Sequence, residues 1–283
     1  MNTLEKDNFY IKSQIESNPS FFIGRIAGIE LQICYTLIHK GNVNEYQLQE
    51  LENNAGIKIT NTESLKEYVN KLIASYEHCT SIAEWDKSGK VFAITGQSQE
   101  WIAKRTPRIP KINAISLEPY YTTNQNSWMT SLQNKKVLII HPFIHTFKKQ
   151  ISKLHEIFPQ RDWFKNCTFQ FIKPPMTLAG NHNNRDWREH YNEFIENLRK
   201  VEEFDIALVA AGGYGMLIAD FIHQELHKSV MYIGGALQLF FGVIGKRWFT
   251  NPEILSLVND EWIRPIKEDK PDNFVKVEKG CYW

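Results

Sequence analysis

Three groups of residues in this chain could do chemistry on a phosphorylated ligand. The first is a pair of glycine turns. Gly212-Gly213-Tyr214-Gly215 follows the apolar run 205–210, and Gly234-Gly235 follows the apolar run 230–233. Glycine at such a turn lets backbone N–H groups approach a ligand closely, and a helix N-terminus just beyond it favours an anion. Tight βα turns need glycine for plain construction as well. The ligand reading rests on the recurrence of the pattern, with Gln238 and the basic pair Lys246-Arg247 following. That pair could neutralise a diphosphate, or simply be solvated.

The second group lies in Ile23-Gly24-Arg25-Ile26-Ala27-Gly28-Ile29-Glu30. Arg25 leaves a short strand where a guanidinium could fork onto a phosphate. Glu30 comes one turn into the next helix, where it could ligate a divalent metal, hold a ribose hydroxyl, or merely complement the positive helix end. Glu118 and His141 form the third group. Each follows an apolar run and precedes a proline, Pro119 and Pro142. Both are candidate general bases, because a carboxylate can hold a hydroxyl and a histidine titrates near neutrality. A capping or phosphate-binding role suits His141 equally well, and surface solvation suits Glu118.

Common alternatives fail on spacing. Ile218 stands where GxGxxG needs its third glycine, which disfavours NAD. GxxxxGK[ST], GxSxG and HExxH are all missing. The four cysteines form no CxxC pair, and His182, His190, His223 and His227 make no compact ligand set. A net charge of +1 provides no field for nucleic acid or an anionic membrane, so any basic site must be local. No apolar run reaches the ~20 residues of a membrane span, and the charged start reads as no signal peptide. Scattered cysteines read as reduced thiols of a cytoplasmic protein. Oligomeric state is left open, a homo-oligomer included.

The elements that must position these groups follow from periodicity. From residue 135 on, apolar strands alternate with amphipathic helices, which predicts a mostly parallel α/β sheet with helices on both faces. Strands are expected at 21–26, 90–95, 113–117, 136–140, 168–172, 205–210 and 230–233. Residues 45–82 read as a helical insert, 122–126 as an exposed loop, and the aromatic tail as docked. In such a sheet ligands bind beyond the strand carboxyl ends, where the candidate residues fall.

Three segments carry a resemblance: FFIGRIAGIELQI (21–33), SLEPYY with SWMTSLQNKKVLIIHPF (116–143), and FDIALVAAGGYGMLIADFIHQ with GGALQLFFGVIGKRW (204–248). With the GCYW at 280–283, they resemble the GT-D-type glycosyltransferases found with polysaccharide and surface-glycan genes in bacteria and large DNA viruses. The resemblance implies one Rossmann-like domain over 1–283. It also implies a nucleotide-sugar donor, a glycan or other hydroxyl acceptor, and an Asp-x-Glu motif for metal and donor. Glu30 matches the motif's glutamate, and Gly28 stands in place of its aspartate. Mn²⁺ or Mg²⁺ would then be held by Glu30 through the donor diphosphate, with Arg25 taking over part of the charge neutralisation. The other readings are a non-catalytic nucleotide-sugar or phospho-ligand binding subunit of a glycan-assembly complex, and a phosphohydrolase.

Overall fold

A computed structural model describes residues 3–122 and 126–283. Of the loop expected over 122–126, residues 123–125 lie outside the described residues. Seven strands form one all-parallel sheet: β1 Phe22–Arg25, β2 Ser81–Glu84, β3 Lys111–Asn113, β4 Lys136–Ile140, β5 Thr168–Ile172, β6 Ile206–Val209 and β7 Ser229–Tyr232. Their order is β3-β2-β1-β7-β6-β4-β5. The helices are α1 Thr3–Ser17, α2 Gly28–Lys40, α3 Glu45–Glu50, α4 Thr62–Glu77, α5 Lys90–Arg105, α6 Ile144–Gln150, α7 Leu154–Ile157, α8 Trp187–Leu198, α9 Gly215–Gln224 and α10 Pro252–Leu255. The arrangement is an α/β, Rossmann-like one.

Parallel strands covered on both faces must be apolar throughout, and side-chain alternation divides them between two core layers. Ile23, Val137, Ile139, Ile206 and Leu208 face one layer, with α1, α6 and the aromatic tail. Phe22, Leu138, Ile140, Ala207 and Val209 face the other, with α4, α8 and α9.

Four expectations need correction. Residues 90–95 are the start of α5. Val91, Phe92 and Ile94 suggest a strand, but the buried positions are Thr95, Ser98, Gln99 and Ile102, a helical spacing that leaves Ile94 exposed. The strand at 113–117 is displaced. β3 ends at Asn113, whose side chain accepts from the Ile115 amide and turns 114–117 into a 3₁₀ helix. β2 begins at the last two residues of the segment read as helical and runs on to Glu84. Finally, 45–82 does not stand apart as an insert, because α3, a π-helical turn (Leu51–Ala55) and α4 belong to the β1–β2 crossover. Leu65, Tyr68, Val69 and Leu72 of α4 share a core layer with β1, β4 and β6.

Candidate functional site

A cavity of about 450 Å³ opens at the carboxyl ends of the strands. After β1 it is lined by Arg25, Gly28 and Glu30; after β3 by Glu118; after β4 by His141. The turn after β6 contributes Gly212, and the segment after β7 contributes Gly234, Gly235, Gln238 and Arg247. Gly213, Tyr214, Gly215 and Lys246 do not line it. Lys173, at the end of β5, instead faces Asp269 at 3.4 Å.

The glycines fall into two kinds. A Cβ on Gly213 would stand 2.4 Å from Ile57, and one on Gly215 would stand 2.2 Å from the Tyr232 ring. Those two are small because neighbouring side chains fill the space. Gly212 and Gly234 have φ of +51° and +72°, which explains glycine at both. At Gly28 a Cβ would meet nothing within 4 Å, so the first turn of α2 borders open space.

Tyrosine hydroxyls hold the turns around the cavity. Tyr68 donates to the Gly213 carbonyl at 3.0 Å and Tyr232 to the Gly212 carbonyl at 3.1 Å. Tyr76 donates to the Arg25 carbonyl and accepts from the Ala27 amide. Tyr214, a residue expected to touch ligand, is buried and donates to the Gly56 carbonyl at 3.3 Å.

Arg25 is buried, with its guanidinium 4.4 Å from the Trp85 ring centroid. It donates to the Ile233 carbonyl and faces Glu118 at 3.9 Å, a loose ion pair. Burial lowers its pKa, opposed by the charge of Glu118. Burial raises that of Glu118, opposed by Arg25 and Arg247. Five donors on a desolvated cation with one neutral acceptor and one distant carboxylate leave capacity for an anion.

Glu30 is 7% exposed, and among the described residues it makes no ion pair and no hydrogen bond to another residue. Burial pushes its carboxyl up to about 7, with the charge of Glu278 adding to the rise. His141 is 2% exposed, and its Nδ1 accepts from the Phe143 amide at 2.9 Å. The ring proton therefore sits on Nε2. Burial among Phe143 and Phe147 lowers the pKa to about 3, so at neutral pH this is a neutral donor rather than a base.

Arg247 sits at the cavity rim. Its Nη1 donates to the Tyr282 hydroxyl at 2.8 Å and lies 3.6 Å from Glu278. Lys246 points into solvent. Gln238 is fully buried and donates to the carbonyls of Val243 and Tyr282, at 3.0 and 3.3 Å. It ties the loop after β7 to the tail. Tyr282 packs over Gly235, where a Cβ would come within 2.3 Å of its ring.

Sequence reasoning missed Trp85, Tyr232, Glu278 and Tyr282 as lining residues. A signal existed for Tyr232, which stands two residues before the second glycine turn, and for the tail, which was expected to dock. Trp85 was hidden because β2 itself went unseen.

Among the described residues no group of three or more His, Cys, Asp or Glu comes together that could hold a metal ion. Glu30 has no second carboxylate at Gly28. This donor set does not fit a protein-held divalent cation, and a metal here would take most of its ligands from a bound diphosphate. No helix among the described residues is long and apolar enough to cross a membrane. No family model, curated protein or solved structure matches the chain.

Proposed function

We propose that the protein is a glycosyltransferase that moves a sugar from a nucleotide-diphosphate sugar to a hydroxyl of a glycan or other acceptor. The observation that carries this reading is the meeting, in one cavity, of an under-partnered buried Arg25, a rim Arg247, the open N-terminus of α2 and an unpaired carboxyl, Glu30. The resemblance in sequence supports it from a separate direction.

In this reading the bond between the sugar's anomeric carbon and the diphosphate oxygen breaks, and negative charge grows on the leaving group. Preorganised cations and N–H donors stabilise such charge best in a desolvated site. Arg25, Arg247 and the first amides of α2 supply them. Glu118 holds Arg25 in orientation against Trp85. Glu30 titrates near neutrality, the range a general base needs, and would take the acceptor's hydroxyl proton if the reaction inverts. His141 offers its Nε2–H to a ligand oxygen. Mn²⁺ or Mg²⁺, if used, would enter with the donor diphosphate and be held mainly by it, which leaves Glu30 free for the proton.

A thermal-shift panel of UDP-, GDP-, CMP- and dTDP-sugars, each with and without Mn²⁺, tests the binding half. One nucleotide class should raise the melting temperature by mass action. Slow hydrolysis of that donor, lost in Glu30→Gln, tests the chemistry. Binding without turnover would move the protein to a non-catalytic subunit. Phosphate release from simple esters would make it a phosphohydrolase, and no shift with any donor would remove the nucleotide-sugar reading.

A further inference from the structure

The rim cation of the cavity already has an anion on it. Arg247 Nη1 faces the Glu278 carboxylate at 3.6 Å, and Glu278 lines the same cavity. Both side chains are close to half exposed, at 40% and 49%. Glu278 sits on unusual backbone. Its φ is +44°, that of Lys279 is +59°, and Gly280 follows at +71°. Two successive non-glycine residues in the left-handed region are strained, and such strain gathers at ligand clamps and switch segments.

A loose, half-exposed ion pair is too weak to offset two strained residues, so the contact makes poor sense as a stability device. The surrounding structure enforces it instead. On one side, Asp269 accepts from the amide and hydroxyl of Thr146, and the Trp283 indole donates to the Asp269 carbonyl. On the other, Tyr282 is held over Gly235, and Cys281 accepts from the Arg247 amide at 2.8 Å through its carbonyl. Between these anchors, among the described residues, Glu278 has two further ties. Its amide donates to Asn54 Oδ1 at 3.3 Å, and its carboxylate accepts from the Cys281 thiol at 3.3 Å. The segment is pinned at both ends and lightly held where the carboxylate stands.

We propose that Glu278 is a built-in placeholder for the anion this cavity takes: its carboxylate occupies Arg247 until an anionic group of the incoming ligand displaces it. The inference rests on the anion-binding part of the proposed function and not on sugar transfer. Displacement frees the guanidinium at the moment the ligand's charge arrives. It also moves a negative charge away from that ligand and from Glu30, and lets the strained turn relax. Arg247 is thereby kept from binding stray anions weakly, and the Glu278 side chain leaves by the solvent side on which it is already exposed. Glu278 is a positioning residue in this scheme, acting through Arg247.

The test is a calorimetric titration of inorganic pyrophosphate into the full chain at fixed ionic strength and pH 8. Four proteins are compared: the parent, Glu278→Gln, Arg247→Gln and the double variant. Glu278→Gln should bind roughly three- to tenfold more tightly than the parent. In the Arg247→Gln background the gain from Glu278→Gln should vanish, because the effect runs through that guanidinium. Equal or weaker binding by a Glu278→Gln protein of unchanged melting temperature overturns the proposal. So does a gain that persists without Arg247, which would be only a general charge effect. If none of the four binds pyrophosphate, the placeholder and the anion site fall together. If the gain is present but no nucleotide-sugar is turned over, the placeholder stands and the transferase reading alone fails.

Discussion

Asp186 and Glu30 are carboxylates of nearly equal burial, 6% and 7% exposed, each at the start of a helix. Their surroundings are opposite. Asp186 caps α8 and accepts from the Thr60 amide and hydroxyl, the Ser64 hydroxyl, and the amide and guanidinium of Arg188. Burial alone would raise its pKa, but the hydrogen bonds from Ser64, Thr60 and Arg188 outweigh it and bring the group down to about 2. Glu30 has no such partners and is pushed up to about 7. Two carboxylates of similar exposure thus do two jobs. One joins α8 to the β1–β2 crossover, and the other is left available at the cost of stability.

The contrast can be broken in stages. The largest effect should come from Asp186→Ala, which strands several donors. A loss of about 3–4 kcal/mol, read from the urea midpoint, is expected, with pyrophosphate affinity unchanged in the folded protein. In the parent, the contribution of Asp186 is present above the ordinary carboxylate pKa of 3.8 and is lost as pH falls toward 2.

Glu30→Gln should do the reverse. A carboxyl raised from 4.5 to about 7 in the folded state favours folding fully below pH 4.5, and that advantage disappears as pH rises to about 7. The variant should therefore match the parent at pH 4.5 and exceed it by about 2–3 kcal/mol at pH 8, while donor hydrolysis falls by about 100-fold or more. A flat stability difference across that range would mean that Glu30 is solvated after all.

The glycines sharpen the comparison on a smaller scale. Gly215→Ala must push the Tyr232 ring aside and should cost about 1–3 kcal/mol in a denaturant melt. Gly28→Ala meets nothing and should raise stability by up to about 1 kcal/mol. If it nevertheless weakens nucleotide-sugar binding, the open space at α2 is where ligand sits. Lys246→Ala, out in solvent, should stay within about 0.5 kcal/mol of the parent and leave anion affinity as it was.

Much of this was legible in the sequence where pattern and burial agree. β4 and β5 were readable to the residue, because Val137–Ile140 is an apolar run behind Lys136 and Thr168–Ile172 alternates aromatic with polar positions. The cavity's position followed from the parallel topology, so Arg25, Glu30, Glu118 and His141 could be named from strand ends, and Arg247 from the basic pair beyond the glycine-spaced segment. What could not be read was partnership. Nothing in the string GGYG distinguishes Gly212, with its left-handed backbone, from Gly215, whose absent side chain makes room for a ring from another strand. Which ring nitrogen of His141 carries the proton depends on a backbone amide two residues on, which only the folded turn reveals. β2 escaped notice because four residues after a long amphipathic helix carry too little periodicity to stand out.

The pairing of β1 with β7 has a consequence for how the chain assembles. Phe22 lies beside Val230 and Ile23 beside Met231, although most of the sequence separates them. β7 follows β6 through the single helix α9, so β1–β2–β3 and β4–β5–β6–β7 can each pair from segments closer in the chain, and the two halves must join edge to edge along β1 and β7. Contacts of such long range form late, and until they do both edges are open to wrong partners. The seam between β1 and β7, whose end carries Tyr232 and the second glycine turn, is therefore where the two halves of the sheet meet. The cavity, lined from both halves, comes into being only when they join.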